Sequence, residues 1–71
     1  EEGAGMAEVL EAMAAKAPEL VGKVIMPDED GRKRLADEYK FNINGNFYYA
    51  GADFKLRKGD RIALLVPVTG G

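Results

Sequence analysis

Neither cysteine nor histidine occurs anywhere in the 71 residues. Without a thiol there is no disulfide and no cysteine nucleophile, and without imidazole there is no Ser-His-Asp triad and no histidine base. The same absences exclude an ordinary zinc site, so no metal site is expected. Charge of one sign is not in excess either: ten Lys and Arg against twelve Asp and Glu leave a net −2. That balance supplies no general pull toward nucleic acid. No apolar run reaches the ~18–20 residues that span a bilayer, and no signal peptide is visible. A cytoplasmic protein with neither membrane nor nucleic-acid partners is expected. If the chain takes part in a reaction, these absences point to a substrate or carrier more than to a catalyst, and no catalytic residue of its own is expected.

The length allows one domain, 1–71. Chains shorter than ~70–80 residues rarely build a self-sufficient core without staples, and the usual staples are absent here. Stability must come from an idealised core, a partner, or residues beyond this sequence. The first residue is Glu1, and Glu1-Glu2-Gly3-Ala4-Gly5 precedes anything periodic.

Met6, Val9, Leu10, Met13 and Ala17 form one stripe of an α-helix, expected over 6–17. Alanines at 7, 12, 14 and 15 add helix propensity. Gly5 is a weak N-cap, and Glu8 and Glu11 suit the positive end of the dipole. Pro18 restricts Ala17 and ends the helix there, with Leu20 and Val21 free to form one more turn before Gly22.

A short apolar stretch, Lys23-Val24-Ile25-Met26, stops at Pro27, and residues 28–34 read as a charged loop. Its acids do not fit an EF-hand: aligning Gly31 with that loop's glycine puts Met26 at the first ligand position. Arg32, Lys33 and Arg34 read either as a solvated face or as a patch for an acidic partner.

Tyr39-Lys40-Phe41-Asn42-Ile43 alternates like a half-buried strand, Asn44-Gly45 is a strong hairpin signal, and Asn46-Phe47-Tyr48-Tyr49 returns antiparallel. Phe41, Ile43 and one face of the aromatic trio are expected against the helix. After a turn at 50–53, Phe54-Lys55-Leu56 reads as a 3₁₀ turn or bridge that plugs the core. Lys58-Gly59-Asp60 turns the chain into a last strand, expected over 61–68. Its successive apolar residues suggest a central strand, or one face kept for a partner. Thr69-Gly70-Gly71 then forms a thin tail. Glycine lacks a Cβ, so such a tail can thread a channel too narrow for other residues. Ordering it costs roughly 1–2 kcal/mol per residue, which a partner must offset.

This order resembles the ubiquitin-like β-grasp sulfur carriers, and within them the small subunit of molybdopterin synthase. The matching residues are Asn44-Gly45, the run Leu56-Arg57-Lys58-Gly59-Asp60-Arg61-Ile62-Ala63, and Pro67-Val68-Thr69-Gly70-Gly71. The acidic loop Asp28-Glu29-Asp30-Gly31-Arg32 also resembles that subunit, and the likeness spans about 6–71. It implies an α+β fold, a mixed sheet packed on one main helix. The β-hairpin that precedes the helix in such carriers is absent, so the first two strands are expected in roughly 15–20 upstream residues.

By that resemblance, an E1-like adenylating enzyme uses ATP and Mg²⁺ to activate the Gly71 carboxylate, which becomes a thiocarboxylate. The molybdopterin synthase large subunit then receives the tail. Pro67 stiffens its exit, Val68 and Thr69 contact the partner, and Gly70 permits close approach. No cofactor is bound by the chain itself. Two other readings stay open: a carrier for tRNA thiolation or protein conjugation, and a β-grasp interaction module with frayed glycines.

Overall fold

The computed structural model describes residues 3–68. Helix α1 (Met6–Lys16) buries Met6 and Leu10, with Val9, Met13 and Ala14 packed at the edge of the same core. The apolar stripe thus faces inward as its spacing requires. Ala17 leaves helical geometry (φ −137°, ψ 77°), and Pro18 opens a 3₁₀ turn, Pro18–Leu20. Proline has no N–H to give to the preceding turn and disfavours a helical residue before it, so the helix cannot run through.

Among the described residues five short strands come after the helix: β1 (Ile25–Pro27), β2 (Lys33–Leu35), β3 (Lys40–Ile43), β4 (Asn46–Tyr48) and β5 (Ile62–Leu65). β1 and β2 form an antiparallel ribbon with Ile25 opposite Leu35. The other three make an antiparallel sheet in the order β4-β3-β5. The isolated Val21↔Ile25 bridge is parallel, which makes the β-structure mixed. α1 lies against β2, and Lys33 reaches from that strand to Glu11 on the helix at 3.3 Å.

Leu10, Ile25, Leu35 and Phe41 are fully buried at the centre, and Val24 and Ile43 join them. Burying a side chain of this size stabilises by about 1.5–3 kcal/mol, so these few residues carry the fold. No buried side-chain nitrogen or oxygen lacks a partner among the described residues. One main helix packed on this β-structure is a small α+β fold of the ubiquitin-like β-grasp type.

Several expectations need correction. Residues 28–34 are not one loop. Lys33 and Arg34 belong to β2 and are half-buried, and the turn covers only 28–32. Asp28 builds that turn by accepting the backbone N–H groups of Asp30 (2.8 Å) and Arg32 (2.9 Å), which is ordinary turn chemistry. Residues 54–56 are not a 3₁₀ turn, but Phe54 and Leu56 do pack against the core as expected. Leu56 exchanges backbone bonds with Gly3 and Ala4 at 2.7 and 2.8 Å, and Phe54 packs its ring inward. The last strand is shorter than 61–68, because Pro67 has no N–H for a ladder. Among the described residues β3 is the central strand, and β5 pairs on one side only.

Candidate functional site

The candidate site is the end of β5 together with the exposed residues beyond it. β5 is held on β3 in a register that sets Ile62 opposite Ile43 and Leu65 opposite Lys40. Leu65 is therefore the last paired residue before the chain leaves the sheet. Beyond it Val66, Pro67 and Val68 are exposed, Val68 almost wholly so at 96 %. An apolar side chain with that exposure contributes nothing to this core and is open to another surface. Thr69, Gly70 and Gly71 lie outside the described residues.

The root of β5 is pinned by polar contacts. Asp60 accepts the Asn44 side-chain amide at 2.9 Å and the Arg57 backbone N–H at 2.8 Å. The Asn44 bond first, then the Arg57 N–H and the Arg57 charge, hold the Asp60 carboxyl below its ordinary range, although slight desolvation opposes them. The β3–β4 turn is thereby tied to the turn that launches β5.

On the outer face of the sheet Lys40 lies beside the exit. Its Nζ stands 4.8 Å from the Phe47 ring centroid and 5.4 Å from that of Tyr49, and donates to the Tyr49 hydroxyl at 3.3 Å. Phe47 and Tyr49 are about half exposed there. Tyr48, one residue between them, points to the other face and stacks edge-on with Phe54 at 5.3 Å, and Phe54 in turn meets Phe41 at 6.2 Å. Strand alternation separates the trio into one inner and two outer rings.

Pro67 and Val68, expected within the last strand, instead stand exposed beyond its last paired residue. Asp60 and Lys40 were not singled out by motif. The Lys58-Gly59-Asp60 turn signal names the residue without its Asn44 partner, and the two meet only through the fold. The concavity lined by Pro27, Asp28, Glu29, Asp30 and Arg34 sits at the tip of the β1–β2 ribbon and not at β5. Among the described residues no three metal-ligating side chains converge, and no helix is long and apolar enough to cross a membrane.

A β-grasp architecture, with exposed Pro67 and Val68 beyond its last strand, is that of the small ubiquitin-like proteins. The profile of the ThiS family matches residues 1–71, and the chain belongs to that family of β-grasp sulfur carriers. No curated protein and no solved structure matches the chain.

Proposed function

We propose that this sulfur carrier works through a thiocarboxylate at Gly71 and serves molybdopterin synthesis as the small subunit of molybdopterin synthase. The observation that carries the reading is the fixed β5 followed by exposed Pro67 and Val68, the last described residues before Thr69-Gly70-Gly71 in the sequence. Family membership supports the carrier role. The run Pro67-Val68-Thr69-Gly70-Gly71 and the acidic loop at 28–32 support the pterin acceptor.

The chemistry is set by what a carboxylate lacks. Its negative charge repels nucleophiles and it has no leaving group. An E1-like enzyme, with ATP and Mg²⁺, converts the Gly71 carboxylate to an acyl adenylate and releases pyrophosphate. A persulfide on a partner then attacks the acyl carbon and displaces AMP to give an acyl disulfide, and a second partner thiol cleaves the S–S bond, forming a disulfide with the first partner sulfur and leaving the terminal thiocarboxylate. The large subunit takes the tail and directs that sulfur to the pterin precursor. Capture of a C-terminal carboxylate by backbone donors is a recurrent recognition mode, and Gly70 allows those donors to come close. The setting is proposed to be the cytoplasm.

Intact-mass analysis after incubation with an E1-like enzyme, ATP and a sulfur donor tests the first half. The expected product is heavier by the difference between sulfur and oxygen. It disappears when Gly71 is deleted or when one residue is appended after it. Pterin sulfuration with the large subunit tests the second half. A thiocarboxylate that forms but does not sulfurate the pterin overturns the acceptor and keeps the carrier; no thiocarboxylate overturns both.

A further inference from the structure

Asn44 and Gly45 both have positive φ, 54° and 89°, as a two-residue hairpin turn demands. Both are exposed, and the space around Gly45 is open. Two side-chain bonds bear on this turn. The Asn44 carboxamide donates to Asp60 at 2.9 Å, and the Gly45 N–H donates to the Asn42 side-chain oxygen at 2.9 Å. The first is a latch: with the Arg57 N–H on the other Asp60 oxygen, it joins the β3–β4 turn to the root of β5.

We propose that Asn44 is a site of spontaneous covalent modification, and that its conversion to an acid opens this latch. The attacking group is the backbone nitrogen of Gly45, a residue with no side chain of its own to hinder the approach, once its N–H leaves the exposed Asn42 side-chain oxygen. It forms a bond to the Asn44 side-chain carbonyl carbon, the bond from that carbon to the amide nitrogen breaks, and ammonia leaves with the proton given up by Gly45. Water then opens the five-membered imide. Addition at the former side-chain carbonyl yields an aspartyl residue, and addition at the main-chain carbonyl yields an isoaspartyl one. The net change is one water consumed and one ammonia released, with no oxidant or reductant.

Both products remove the only donor that Asn44 offered to Asp60 and put a carboxylate in its place. Two carboxylates at hydrogen-bond distance repel, so the contact reverses sign. The isoaspartyl product also adds a carbon to the main chain of a two-residue turn, whose length sets the β3–β4 register. Asn42 and Asn46 are followed by Ile43 and Phe47, whose side chains hinder the same attack. The modification is thus selective for one of three closely spaced asparagines.

The test is incubation of the full chain at mildly alkaline pH, with peptide mapping for isoaspartate and ammonia. Conversion is expected at Asn44 and not at Asn42 or Asn46. Asp60→Ala, which frees the carboxamide, should convert faster by about fivefold, the equivalent of one net hydrogen bond. Hydrogen exchange at the Arg57 and Asp60 amides should speed up in the converted protein and in Asn44→Asp. An intact amide in the folded chain, while a peptide of the same sequence converts, overturns the site. Unchanged exchange at Arg57 and Asp60 after conversion overturns the latch.

Discussion

The Asp53 carboxylate accepts the backbone N–H of Met6 at 3.0 Å and so caps α1 from 47 residues further along the chain. Gly5, at the N-cap position, has no side chain for that bond, and Glu8 covers only the Gly5 N–H, at 2.8 Å. The glycine makes room for its substitute. A Cβ at Gly5 would sit 2.9 Å from the Asp53 carboxylate and 3.0 Å from the Phe54 carbonyl.

Asp53→Ala should therefore lower the denaturant midpoint although the residue is exposed, because an orphan helix N–H loses its acceptor. Asp53→Asn keeps an acceptor oxygen and should recover most of the loss. Gly5→Ala should destabilise by crowding the same carboxylate, and alanine is also the poorer N-cap residue. Urea titrations of the three variants distinguish a cap from a surface charge.

Acid should weaken the protein through two carboxyls. The N–H groups of Met6, then Phe54, hold Asp53 below its ordinary value of 3.8, and the Asn44 amide, then the Arg57 N–H, do so for Asp60. In the unfolded chain both take up protons near 3.8, while in the folded chain they resist. Their stabilisation is thus complete above that value and is lost as pH falls through the lower folded values. Denaturant midpoints should be flat in this respect near neutrality and decline in acid. Asp53→Asn and Asp60→Asn should each flatten the acid limb.

Burial decides the cost of truncating the core. Leu10 is completely buried on α1, between the helix and the strands. Leu10→Ala should cost about 2–5 kcal/mol, against about 5–15 kcal/mol for a whole domain. Met13→Ala, on the half-buried edge of the same stripe, should cost less. Chemical denaturation followed by circular dichroism measures both.

Adjacent tyrosines should behave oppositely. Tyr48 stacks on Phe54 inside, whereas Tyr49 is 52 % exposed and holds Lys40 on the outer face. Tyr48→Ala should cost more than about 2 kcal/mol, and Tyr49→Ala less than about 1 kcal/mol, typical of an exposed cation–π contact. Equal losses would mean that the two rings do not lie on opposite faces of the sheet.

Periodicity and turn chemistry made the helix and the Asn44-Gly45 hairpin legible in the sequence, because each depends on neighbours within a few residues. What was not legible depends on partners far along the chain. The Leu56 segment owes its extended shape to Gly3 and Ala4, and Lys33 owes its strand to pairing with Pro27. A charged run carries no local sign of such pairing, so 28–34 read as loop. The Asn44–Asp60 and Asp53–Met6 contacts were invisible for the same reason: each half is an ordinary turn or cap residue until the fold joins them.

Val68 separates a tail that is handled from an end that is merely loose. It is 96 % exposed, beyond the last paired residue and beyond Pro67, so Val68→Asp should change stability by no more than about 0.5 kcal/mol. Ile62→Asp, on the paired strand opposite Ile43, should destabilise clearly. On the carrier reading a partner must close around the tail, and a charge at Val68 has to be desolvated there. Val68→Asp should then reduce thiocarboxylate formation or its transfer severalfold at unchanged stability. Measuring the denaturant midpoint and the yield of sulfur-containing product on the same preparation checks both halves. If both stay at the wild-type level, Val68 is no part of the surface that partners read, and contact with the carrier must lie elsewhere.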